Sequence, residues 1–148
     1  MSPMARAKTD DADPNELADF ATGLYQLVDT LRGEHEEAAA AAGLTAAQAM
    51  ILTWLSEPTS MRRFADRMGC DASNITGIVD RLEAKELVVR TADPGDRRVK
   101  LIERTRAGDS AVKRFQKELV KTSSLAKLTP AARRGLLAAL AEVRGPRN

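Results

Sequence analysis

Leu17, Phe20, Leu24, Leu27 and Leu31 recur at spacings of three and four residues. That rhythm predicts a helix from Pro14 with a two-heptad apolar seam, and such a seam wants a partner surface. Ala38 and Ala41 extend it with small residues until Gly43 stops the helix. Thr45-Ala46-Ala47-Gln48 has the spacing of a capping box and opens a second helix through Met50, Ile51, Trp54 and Leu55, ended by Pro58. A short third helix from about Ser60 turns Met61, Phe64, Ala65 and Met68 inward and closes at Gly69. Asp71 is a good N-cap for a fourth. There Ile75, Ile78, Val79 and Leu82 form a core face, while Ser73, Asn74, Gly77, Asp80 and Arg81 belong to the polar one.

The period then changes. Leu87 to Thr91 and Arg98 to Ile102 are aliphatic or β-branched runs of strand length, and Asp93-Pro94-Gly95 between them is turn chemistry. A β-hairpin with Arg97 and Arg98 near its tip is expected. A fifth helix starts at Thr105 and uses Val112, Phe115 and Leu119; a sixth starts at Thr129 with Pro130 at its first position and uses Leu136, Leu137, Leu140 and Val143.

Length and composition narrow the class. A chain of 148 residues, 43% hydrophobic and 3% aromatic, reads as one mostly helical globule. No apolar run approaches the ~20 residues of a membrane helix, and the start lacks the apolar core of a signal peptide. With one cysteine, Cys70, and no export signal, the expected compartment is a reducing cytoplasm. No Cys/His cluster suits a metal, no cofactor motif is present, and one histidine with one cysteine in different elements gives no basis for an enzyme. Charge is unevenly spread: residues 1–40 sum to −6, 62–106 to +3 and 107–148 to +6. Opposite arms of this kind attract each other within or between chains.

Two short helices, a tight connection, a helix with a polar outer face and a basic hairpin make a winged helix-turn-helix. The fold class expected is mostly α with a small β-hairpin wing, flanked by N- and C-terminal dimerisation helices. The organisation read is a flexible tail 1–13, a dimerisation helix 14–43, a DNA-binding region 44–104 and dimerisation helices 105–148. A helix fits the major groove with its N-terminal side chains on base edges, and a hairpin lays arginine along the backbone or in the minor groove.

The stretch SNITGIVDRLEAKELVVRTADPGDRRVKLIERTRAG, residues 73–108, is similar to the signature of the MarR family of bacterial regulators, through VDRLEAKELV, DPGDRR and TRAG. The helix order over about residues 14–144 agrees. The resemblance implies a homodimeric winged-helix transcription factor, usually a repressor, on a palindromic double-stranded DNA operator. It further implies release by a small phenolic or lipophilic effector, or by an oxidant. The family's wing arginine falls on Arg98, with Asp96 placed to brace it and Arg97 near phosphates. The recognition helix offers Ser73, Asn74 and Thr76 to bases or phosphates, and Arg81 matches the arginine of the family's DRL. The dimer interface would use Leu17, Phe20, Leu24, Leu27, Leu31, Leu136 and Leu140.

Three departures stand out. Gly77 replaces a long polar or basic residue, Arg104 replaces the usual leucine before the fifth helix, and the first helix lacks the peroxide sensors' cysteine. Tyr25, Arg32 and His35, with Trp54, could line an effector pocket, or simply form a partly buried interface. Cys70 reads as a small packing residue, with a redox-sensing thiol as the alternative. The other alternative is a winged-helix interaction module that reads no DNA, since Asp80, Glu83 and Glu86 place acids along the fourth helix.

Overall fold

A computed structural model describes residues 13–69 and 71–144. In chain order these form α1 Pro14–Ala41, α2 Ala46–Trp54, β1 Thr59–Ser60, α3 Met61–Met68, α4 Ala72–Ala84, β2 Val88–Ala92, β3 Lys100–Arg104, α5 Arg106–Thr122, a 3-10 turn Ser124–Lys127 and α6 Pro130–Arg144. The chain divides into two compact units, one ending at Gly33 inside α1 and one beginning at Glu34. No described helix is long and apolar enough to cross a membrane.

Local chemistry sets most helix ends. Thr45 Oγ1 accepts from the Gln48 N–H at 3.2 Å and Gln48 Oε1 accepts from the Thr45 N–H at 3.1 Å, so the predicted capping box is formed. Ser60 Oγ accepts from Arg63 N–H, and Gly69 closes α3 in the left-handed conformation with φ +62. Asp71 holds the N-cap position of α4 without a side-chain hydrogen bond; the Asn74 N–H reaches the Asp71 carbonyl instead, at 3.1 Å. Helix α2 stops at Trp54, before the expected proline, because Leu55 already leaves helical geometry.

In the second unit, α2, α3, α4, α5 and the sheet close one core. Ile51, Leu52, Leu55, Phe64, Val79, Leu82 and Ile102 are all essentially inaccessible. Each such side chain contributes about 1.5–3 kcal/mol by leaving water. The hairpin gains a third strand that its sequence did not announce: β1 pairs antiparallel with β3, giving the order β1-β3-β2. Ile102 sits at the centre, opposite Thr59 on one side and Arg90 on the other.

Two corrections concern the hairpin and its junction with α5. Arg98 and Val99 lie in the loop rather than in the second strand, which begins at Lys100. The reason is that Asp93 and Asp96 each fold the chain back on themselves: Asp93 Oδ1 accepts from Gly95 N–H at 2.7 Å and Asp96 Oδ1 from Arg98 N–H at 3.0 Å. Arg104 is the second. Instead of leaving a packing fault, its guanidinium donates to the Leu52 carbonyl at 3.2 Å and pairs with Asp109 at 3.0 Å, tying β3 to α2 and α5.

The TRAG stretch is a joint between elements. Thr105 N–H donates to the Leu87 carbonyl, Thr105 Oγ1 donates to the Glu86 carbonyl at 2.7 Å, and the same hydroxyl accepts from Gly108 N–H. Residue 108 has to be glycine, since a Cβ there would stand 2.1 Å from the Leu87 carbonyl oxygen.

Candidate nucleic-acid interface

Helix α4 buries Ile75, Val79 and Leu82 and leaves Ser73, Asn74, Thr76 and Arg81 exposed on the remaining surface. The burial rhythm of the core residues thereby decides which side chains are left to meet a partner. A Cβ at Gly77 would meet nothing within 4 Å, so packing does not require glycine there. Strand β2 packs against α4, which places the hairpin beside that polar face.

At the hairpin tip, residues 94–98 are exposed. The loop is internally closed by Asp93 N–H to the Val99 carbonyl at 3.0 Å and Val99 N–H to the Asp96 carbonyl at 2.9 Å. Asp96 meets Arg98 through the arginine's backbone N–H. Among the described residues neither the Arg97 nor the Arg98 guanidinium has an ion-pair partner. A loop closed by its own hydrogen bonds and carrying an uncommitted cation suits contact with a phosphate, since less of its ordering cost falls on binding.

Of the three acids that argued against a DNA role, Glu86 lies past the end of α4, at φ +57, and Asp80 and Glu83 are paired. Arg90, on β2, bridges Asp80 and Glu83 on α4, with Nη2 2.5 Å from Asp80 Oδ1 and Nη1 on Glu83 Oε2. The hydrogen bond to Asp80 is the main influence holding the Arg90 guanidinium above its ordinary pKa, reinforced by the charge of Glu83. From sequence these carboxylates count as repulsive; their spacing, one turn apart, was the available signal for a shared cation.

The remaining sequence-selected residues fall in several places. Tyr25 and Arg32 are exposed in the first unit; His35 and Trp54 are in the second. The His35 ring packs edge-on against Phe115 at 4.9 Å, and its Nε2 donates to the Ala46 carbonyl at 3.3 Å. Trp54 is exposed. Leu17, Phe20 and Leu24 are exposed, and Leu27, Leu31, Leu136 and Leu140 are half-buried. Cys70 lies outside the described residues.

Comparison with known proteins agrees with this geometry. Residues 44–100, from the start of α2 into β3, match the MarR family model. The transcriptional repressor MdtR of Bacillus subtilis (strain 168) is 34% identical over 95 residues, covering 63% of this chain and 61% of that protein, so the chain spans under two-thirds of this relative. The repressor CouR bound to a 23-mer DNA duplex has a TM-score of 0.74 at 27% identity over 91% of this chain and 99% of CouR. CouR from Rhodococcus jostii RHA1 bound to p-coumaroyl-CoA has a TM-score of 0.69 at 27% identity, over 97% and 99% of the two chains. The family model covers the helix-turn-helix and most of the wing, and the similarity to CouR extends through the flanking helices, so the chain is similar to MarR-family regulators in sequence over residues 44–100 and in architecture over most of its length.

Proposed function

We propose that this protein is a sequence-selective, DNA-binding transcriptional regulator, acting as a homodimeric repressor on a palindromic operator. The observation that carries the reading is the pair of uncommitted arginines, Arg97 and Arg98, on the closed loop of a hairpin whose strand β2 packs against α4, the helix that exposes Ser73, Asn74 and Thr76. Side chains at the start of α4 meet base edges in the major groove while the wing cations neutralise phosphates outside it. The DNA complex of CouR, similar over nearly its whole length, supports this arrangement. Dimerisation through the exposed leucine seam of α1 sets two recognition helices about 10 base pairs apart, which is why the operator is palindromic.

Release by a small phenolic or lipophilic effector belongs to the same proposal. Its support is the binding of p-coumaroyl-CoA by CouR and the aromatic setting of His35 against Phe115.

The test is selection of duplexes from random sequence by the purified chain, then titrations at several salt concentrations beside Arg98→Ala. A selected palindrome is expected, with affinity falling steeply as salt rises. Arg98→Ala weakens binding at least tenfold and reduces the salt slope by about one unit, the signature of one lost phosphate contact. Enrichment of no sequence, with binding indifferent to Arg98, would overturn the proposal in favour of a non-DNA role.

A further inference from the structure

Arg90 is the middle residue of β2, and its guanidinium is turned to α4. Its donors are engaged by Asp80 and Glu83, residues one helical turn apart on α4. A planar guanidinium held at two points on one helix fixes distance and orientation together, which a single ion pair does not. The grip is well placed to act on the tip. Arg90 pairs in register with the inaccessible Ile102, so β2 cannot shift at that point without disturbing the core. On the α3 side, the wing root borders an open cleft of about 420 Å3, lined in part by Asp93, Val99 and Leu101. The wing is thus braced from α4 by Arg90, while its α3 side borders open space.

We propose that Arg90 is a positioning residue of the DNA-binding surface, a tether to Asp80 and Glu83 that sets the wing against α4 so that Arg98 reaches DNA. The inference rests on the regulatory reading above and deepens it. It assigns two acidic residues of the recognition helix a favourable part in binding an anion, the opposite of what their charge suggests.

That opposition supplies the test. Replacing both acids, Asp80→Asn with Glu83→Gln, removes two negative charges near the DNA surface. On charge alone, binding to the selected duplex must tighten. With the tether broken, binding weakens about fivefold instead, and adding Arg98→Ala costs less than twofold further, because the wing arginine has already lost its place. Both acids are partly exposed, so the pair contributes little to folding and the variants stay folded. Arg90→Gln approaches the same point from the wing side and gives the same non-additivity with Arg98→Ala.

Tighter or unchanged binding by the Asp80→Asn, Glu83→Gln chain, or a full Arg98 effect within it, overturns the inference. Failure of the regulatory reading is seen separately, as a wild-type chain that selects no duplex. The tether is then read without DNA, by amide hydrogen exchange over residues 93–100. Several-fold faster exchange in the doubly substituted chain supports it, and equal rates overturn it.

Discussion

Leu24 and Leu82 belong to equally regular apolar stripes, one on α1 and one on α4, yet their surroundings are opposite. Leu82 is inaccessible, whereas Leu24 is 38% exposed and its stripe partners Leu17 and Phe20 are 58% and 65% exposed. The same period therefore built a core in one region and a bare surface in the other. Helical spacing states which side chains share a face; it does not state what covers that face. On α4 the cover comes from α2, α3 and β2 of the same chain. For the first half of α1, the proposed homodimer supplies it from a second copy, consistent with the rule that contiguous exposed apolar patches mark interaction surfaces.

Three substitutions break or sharpen the contrast. The largest effect is expected for Phe64→Ala, which empties the centre of the second unit and costs about 4 kcal/mol in urea unfolding. Gly108→Ala drives a Cβ into the Leu87 carbonyl and lowers stability by about 2 kcal/mol, seen as a lower Tm. A variant as stable as the parent would mean that α5 does not pack on the α4–β2 junction at this distance. Leu24→Ala costs under about 1 kcal/mol of the chain's own folding, because the side chain is far from fully buried. Its effect appears in association, where sedimentation equilibrium is expected to show about tenfold weaker dimers. Unchanged dimerisation would remove the stripe from the proposed interface.

Some elements were fully legible because their causes are local. Thr45 and Gln48 announce the start of α2 from three residues apart, and Ser60, Thr105 and Pro130 mark the openings of α3, α5 and α6 in the same way. The wing arginines were legible too, since turn residues between two strand-like runs place them at a tip whatever the rest of the chain does. What escaped were pairings over distance. Strand β1 is two residues long and exists only because β3 offers it an edge. Arg104 stands where the resemblance leads one to expect leucine, and its partner, the Leu52 carbonyl, lies 52 residues away.

The sequence alone determined the kind and order of the helices, the hairpin, the polar face of α4 and the cations beside it. These arise from periodicity, capping and turn chemistry, which act within about one helical turn. Tertiary structure decided the rest: which apolar stripe is buried, that Asp96 closes the loop through backbone, and that Arg90 of β2 pairs with two acids of α4. A side chain's charge is written in the sequence, but its effect depends on the neighbour that answers it, and only the folded chain supplies that neighbour.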